Sequence, residues 1–209
     1  MNEPTIFIID DDPSVRKGLT RLVSAAGMNT VTFASAREFL DSDNLDSPGC
    51  IILDVQMPEM TGPELQEELG KTSFGLPIIF LSGHGDVPTT ATAMKKGAVD
   101  FLTKPVDATI LLETIKISLE KNAENRRQRK ISSEINAQIN LLTAREFEVM
   151  TLVITGMLNK QIAGEMNISE ETVKIHRGRV MRKLEIISVA ELVRLCEKIG
   201  ISSAKTDII

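Results

Sequence analysis

Four short apolar runs, each followed by a polar group that can do chemistry, constrain this chain more than any other feature. Thr5–Ile9 runs into Asp10-Asp11, Cys50–Leu53 into Asp54, and Pro77–Leu81 into Ser82, while Ala98–Leu102 precedes Lys104-Pro105. Continuous apolar runs rich in β-branched residues suit strands buried on both faces, the pattern of parallel sheets covered by helices. Helix signals fall between them. Asp12-Pro13 sets a capping acid before a proline, and Gly27 ends the helix that follows. Asn29–Phe33 reads as a further strand and Ser35–Leu40 as a short helix. Gly62-Pro63 opens a helix ending near Gly70, Asp86 is placed to cap one that Gly97 closes, and another starts near Asp107. Strict strand–helix alternation over about 120 residues predicts a doubly wound α/β domain with a parallel five-stranded sheet.

In such a sheet the carboxyl ends of the strands open onto one crevice, where ligands bind. Three acids, a hydroxyl and a lysine gathered there make a site for a divalent metal and a phosphoryl group. Mg²⁺ takes hard oxygen ligands, which Asp11 and Asp54 can supply with Asp10 beside them. One of these carboxylates can act as a nucleophile and form an acyl phosphate. The metal and Lys104 would balance charge on the transferring oxygens, and Ser82 can donate a hydrogen bond to the attached group.

Charge divides the chain. Residues 1–121 hold 10 Lys and Arg against 18 Asp and Glu, and residues 122–209 hold 14 against 11. An acidic and a basic half point to two modules with different partners. No apolar run approaches the length of a membrane span, and Met1-Asn2-Glu3-Pro4 lacks the pattern of a signal peptide. Cys50 and Cys196 have no metal-ligand spacing and read as reduced thiols. The expectation is a cytoplasmic protein with no membrane partner.

The first module resembles a response-regulator receiver domain. The matching residues are Asp10-Asp11, Asp54-Val55-Gln56-Met57-Pro58-Glu59-Met60-Thr61-Gly62, Leu81-Ser82-Gly83-His84-Gly85-Asp86, Phe101 and Lys104-Pro105. The resemblance implies a flavodoxin-like strand order, with Asp54 as the phosphate acceptor. It implies Mg²⁺ held by Asp11, Asp54 and the Gln56 carbonyl with help from Asp10, and Lys104 on the phosphoryl. It also implies a cis 104–105 peptide, and Ser82 and Phe101 as a switch pair in which the hydroxyl swings toward the phosphoryl and the ring turns inward. A magnesium-dependent phosphohydrolase working through an aspartyl phosphate is the enzymatic alternative. Such enzymes often carry a second acid two residues after the nucleophile, where this chain has Gln56, so no enzyme is expected.

Beyond Asp107 the pattern stays helical, without Gly or Pro between Pro105 and Gly156. Residues 122–139 read as a linker that is largely helical and extends the last helix of the first module. Its basic run, Glu124 to Lys130, reads as a solvated face, and its Ile131, Ile135 and Ile139 stripe as a surface for a second copy of the chain. Residues 140–209 read as an all-α four-helix domain. Thr143-Ala144-Arg145-Glu146 is a capping box, Gly156 ends that helix, and Asn159–Met166 is a short helix before the Asn167-Ile168 turn. Ser169 caps a helix running to about Leu184 and Ser188 caps the last one. Two helices joined by a short turn fit a helix-turn-helix, whose second helix enters the major groove. At about 100° per residue, Val173, Val180 and Leu184 share one side of that helix. Lys174, Ile175, Gly178, Arg179 and Arg182 share the other. Thr172–Lys183 carries five Lys and Arg and no acid, a strip suited to phosphates.

This second module resembles the LuxR-type DNA-binding domain. The resemblance rests on Leu142 to Glu146, Asn159-Lys160-Gln161-Ile162-Ala163, Ile168 to His176 and Arg182-Lys183-Leu184. It implies that Lys174, Ile175 and Gly178 face bases, that Lys160, Thr172, Arg179 and Arg182 face phosphates, and that Arg177 is long enough to reach DNA. The whole chain resembles the FixJ/NarL group of two-component response regulators, its Gly83-His84-Gly85-Asp86 pointing to the FixJ-like branch. The implied partners are a sensor histidine kinase, double-stranded DNA, RNA polymerase and a second copy of the chain on phosphorylation. Ser188 to Lys198, with its Leu192 and Cys196 stripe, is the expected contact between paired DNA-binding domains.

Overall fold

The computed structural model of the protein describes residues 3–72, 75–83 and 87–201. They fall into two compact units, 1–127 and 128–209.

The first unit is a parallel sheet in the order β2-β1-β3-β4-β5, built from β1 (Thr5–Ile9), β2 (Asn29–Phe33), β3 (Gly49–Asp54), β4 (Ile78–Ser82) and β5 (Asp100–Thr103). This is the flavodoxin-like order, with its switch point between β1 and β3. Successive strand side chains point to opposite faces, and the two faces have separate cores. Phe7, Ile9, Ile51, Leu53, Ile78 and Phe80 pack on α2 (Ala36–Leu40), α3 (Gly62–Gly70) and α4 (Val87–Lys95). Ile6, Ile8, Cys50, Ile52, Ile79 and Leu81 pack on α1 (Pro13–Ala25) and on Leu111 and Ile115 of α5 (Ala108–Ile139). Burial of each such side chain contributes about 1.5–3 kcal/mol, so a one-residue slip in register would exchange the two cores.

Local signals set the element ends. Asp12 caps α1 by accepting the Ser14 N–H at 2.7 Å, and Thr61 with Glu64 forms a capping box on α3. The cap expected from Asp86 lies outside the described residues, as do His84 and Gly85. β5 begins two residues later than its apolar run suggests. Ala98 is buried, but its N–H closes the turn after α4 by donating to the Ala93 carbonyl at 3.1 Å.

The second unit packs α6 (Ala144–Ile154), α7 (Asn159–Met166), α8 (Glu170–Lys183) and α9 (Val189–Glu197) around one core. Residues 122–139 extend the helix that begins at Ala108, so that α5 is a single helix of 32 residues. Its Asn122 Oδ1 accepts the Gly49 N–H at 3.1 Å, and Arg126 donates to the Asp46 carbonyl at 2.7 Å. Further along, Ile135 and Ile139 are buried in the core of the second unit, with Ile131 against it. The isoleucine stripe expected to meet a second copy is therefore covered by its own chain. The same correction holds for Leu192 and Cys196. Both are fully buried because α9 turns them onto the core, so neither is available to join paired domains.

Candidate functional site

The parallel sheet carries its polar residues to one edge. Asp10 and Asp11 follow β1, Asp54 and Ser82 end β3 and β4, and Lys104 follows β5. Asp10, Asp11 and Asp54 offer one carboxylate oxygen each, all within 4.8 Å of one another. Lys104 Nζ donates to Asp10 Oδ2 at 2.6 Å and lies 3.2 Å from Asp54 Oδ1. Asp10 and Asp54 are buried, whereas Asp11 is exposed at the mouth. Two shielded acids share one lysine, and the third faces solvent.

The electrostatics follow from that crowding. Burial pushes the Asp54 carboxyl above its usual range and the Asp10 charge pushes the same way, while Lys104 and the Gln56 N–H pull it down. Burial disfavours the charge on Lys104, but the hydrogen bond and charge of Asp10, joined by Asp54, outweigh it and raise its pKa. Three carboxylates with one ammonium leave a net negative pocket of hard oxygens, which suits a small divalent cation.

Ser82 is buried at the end of β4, and its carbonyl accepts the Lys104 N–H at 2.7 Å. Phe101 is half-buried on β5 with its ring 6.0 Å from that of Phe80. Gln56 is exposed beside Asp54, reaching it through its backbone N–H. The Lys104–Pro105 peptide is cis. Gly62 approaches from α3 so closely that a Cβ there would lie 2.3 Å from the Asp54 carbonyl oxygen. One neighbour went unread in the sequence. Arg16, on α1, donates from Nη1 to the Asp10 carbonyl at 2.6 Å. The available signal was its place one helical turn beyond Asp12, on the side of α1 that faces the acids.

The second unit presents a basic face. Ser169 caps α8 by accepting the Thr172 N–H at 3.1 Å. Val173 and Val180 turn inward and Leu184 follows them, leaving Lys174, Ile175, Gly178, Arg179 and Arg182 exposed. Nothing lies within 4 Å of a Cβ built on Gly178, so that point is open to a close-approaching surface. Lys160 is exposed on α7, and Thr172 is half-buried. Two of the five cations of α8 are engaged elsewhere. Arg177 donates to Asn159 Oδ1 at 3.0 Å, and Lys183 donates to Glu146 Oε2 at 2.6 Å. Spacing alone counts charges and does not separate those that brace the fold from those that face outward.

Comparison with known proteins places both units. Residues 6–116 match the response regulator receiver domain, and residues 140–196 match the bacterial regulatory proteins of the luxR family. Nodulation protein W of Bradyrhizobium diazoefficiens is 42% identical over 202 residues, covering 97% of this chain and 89% of its own length. The transcriptional regulatory protein FixJ of Azorhizobium caulinodans is 39% identical over 199 residues, covering 95% and 94%. Among solved structures, the response regulator StyR superposes with a TM-score of 0.79 at 47% identity, covering 94% of this chain and 100% of that one. Full-length FixJ from B. japonicum superposes with a TM-score of 0.57 at 37% identity, covering 96% and 98%.

Proposed function

We propose that this chain, which belongs to the two-component response regulators joining a receiver domain to a LuxR-type DNA-binding domain, takes its phosphoryl group on Asp54 and then dimerises on DNA. The family is one of transcription regulators and not of catalytic enzymes. Its receiver domain implies a histidine kinase partner, and its LuxR-type domain implies DNA binding. One observation carries the finer reading: three carboxylates within 4.8 Å of one another, two of them bridged by Lys104.

Asp54 is the acceptor because it is shielded yet ends its strand at the mouth of the crevice. Its carboxylate oxygen attacks the phosphorus of a phosphohistidine. The P–O bond forms as the P–N bond breaks, and the released imidazole takes up a proton. Asp11, Asp54 and the Gln56 carbonyl would hold Mg²⁺, with Asp10 orienting the set. When bound, that ion neutralises charge on the transferring oxygens. Lys104 serves the same charge from the other side, since its ammonium is already held between Asp10 and Asp54. Ser82 then donates to the acyl phosphate, and Phe101 turns inward behind it.

In the second unit, Lys174, Ile175 and Gly178 meet base edges, and Lys160, Thr172, Arg179 and Arg182 meet phosphates. Arg177 reaches DNA only by leaving Asn159. Two chains on a two-fold site gain from effective concentration, and the assembly engages RNA polymerase. The protein works in the cytoplasm. Among the described residues no helix is long and apolar enough to cross a membrane.

The test treats wild type and Asp54→Asn with a small-molecule phosphoryl donor and Mg²⁺. Covalent mass, sedimentation mass and binding to genomic DNA fragments are then compared. Wild type is expected to gain one phosphoryl, double its mass and bind DNA more tightly, while Asp54→Asn does none of these. An unmodified wild type, or equal modification of both proteins, defeats the reading.

A further inference from the structure

We infer that Arg16 is a positioning residue for the acid pair, aiming Asp11 by fixing the peptide plane that joins it to Asp10. The inference rests on the reading of Asp10, Asp11 and Asp54 as a Mg²⁺ site and adds a group outside that set.

All three oxygens of Asp10 are held. Oδ1 accepts the Asp12 N–H at 2.9 Å, Oδ2 accepts Lys104 Nζ at 2.6 Å, and the carbonyl oxygen accepts Arg16 Nη1 at 2.6 Å. The Asp10 N–H is tied as well, donating to the Phe33 carbonyl at 3.3 Å. The residue is 1% exposed, so in the intact protein these partners, and not solvent, set its orientation.

The carbonyl bond matters most for function. That oxygen belongs to the planar unit linking residues 10 and 11, and its direction sets the direction in which the chain enters Asp11. Asp11 is the exposed acid of the three, without the packing that holds its neighbours. A charge-assisted hydrogen bond from a guanidinium is stronger and shorter than a neutral one. It holds this plane from α1, the element that follows the two acids. Partners bonded directly to a ligand are worth about 10–100-fold in metal affinity, and Arg16, acting through one peptide plane, belongs at the lower end.

The sign of the effect separates positioning from simple charge. Arg16 is a cation beside a cation site, so deleting its charge alone would tighten Mg²⁺ binding. Loss of positioning weakens it. Calorimetric Mg²⁺ titration of the full-length chain compares wild type, Arg16→Ala, Arg16→Gln, Arg16→Lys and Lys17→Ala, with circular dichroism melts of each. Arg16→Ala and Arg16→Gln are expected to bind Mg²⁺ about tenfold more weakly, and Arg16→Lys to recover most of the loss. Lys17→Ala, which removes one exposed cation from the same turn, is expected to match wild type or bind slightly tighter. If Arg16→Ala fails to fold, Arg16→Gln against Arg16→Lys carries the comparison.

Equal or tighter Mg²⁺ binding by a folded Arg16→Ala or Arg16→Gln overturns the inference, as does a failure of Arg16→Lys to recover. A wild type that binds Mg²⁺ but is not phosphorylated defeats the role of Asp54 and leaves that of Arg16 standing. A wild type that binds no Mg²⁺ defeats both.

Discussion

Lys183, in the last turn of α8, donates to Glu146 Oε2 at 2.6 Å, and Glu146 uses the same oxygen to accept the Thr143 N–H at 2.8 Å at the start of α6. One buried carboxylate thus completes a helix cap and holds α8 against α6. A second donation from Lys183, to the Leu141 carbonyl at 2.9 Å, extends the brace.

Acid should loosen this brace and destabilise the second unit. The Lys183 and Thr143 bonds hold the Glu146 carboxyl down at about 2, against an ordinary 4.5. A depressed carboxyl contributes stability that is complete above the unfolded value and fades as pH falls toward the folded one. The loss therefore runs from near 4.5 down to about 2. Because Lys183 is partly exposed, the contribution is on the order of 2 kcal/mol. Urea unfolding followed by circular dichroism at several pH values checks this, and Glu146→Gln should flatten the dependence in that window.

Charges on one helix should separate by role in salt titrations of DNA binding. Arg182→Ala is expected to reduce the slope of log K against log salt by about one. Lys183→Ala, its neighbour in sequence, should leave the slope alone and lower the unfolding midpoint. Equal slopes for Arg182→Ala and wild type would remove Arg182 from the phosphate contacts.

Gly62→Ala should damage both stability and phosphorylation. The added methyl would meet the Asp54 carbonyl oxygen at 2.3 Å and the Phe80 ring at 3.0 Å. Neither the strand nor a fully buried ring can yield easily. The expected loss is about 2 kcal/mol or more, with slower uptake of phosphoryl from a small-molecule donor, read by denaturant unfolding and by mass.

Ile135→Ala should behave as a core truncation, costing about 2–4 kcal/mol. Ile135 is 7% exposed and packs in the core of the second unit. Denaturant unfolding reads the loss, and sedimentation of the phosphorylated protein should still report a dimer. A variant of unchanged stability that no longer dimerises would restore the surface role suggested by spacing.

Glu185→Gly should stabilise the protein by roughly 0.5–1 kcal/mol. Glu185 sits just past α8 with φ of 55°. Its N–H donates to Arg182 and that of Ile186 to Met181, at 3.2 and 3.0 Å. This closing turn needs the left-handed conformation that glycine adopts without strain. A rise in melting temperature checks it.

Much of the architecture could be read from residue order because strand-end chemistry and strand burial are local signals. Asp10, Asp54 and Ser82 each close an apolar run and Lys104 follows one, and parallel pairing alone brings them to one edge. Periodicity was less informative where it revealed an apolar face without its cover. Ile131, Ile135 and Ile139 have the spacing of an interface, but α6 to α9 lie too close in the chain to leave them bare. Leu192 and Cys196 misled in the same way. Arg16 escaped because its bond is to a main-chain oxygen, which no side-chain motif records. Arg177 and Lys183 looked like their neighbours, since their acceptors, Asn159 and Glu146, lie 18 and 37 residues away.

The unbroken run of α5 also bears on how the protein can be dissected. A cut at 121 takes Asn122 from Gly49 at the start of β3 and Arg126 from Asp46 before it, and a start at 140 strips Ile135 and Ile139 from the other core. Fragments made at those points would each carry a wound, and weak behaviour in either half would report the scissors rather than the domain. A break between 127 and 128 leaves both sets of packing partners whole.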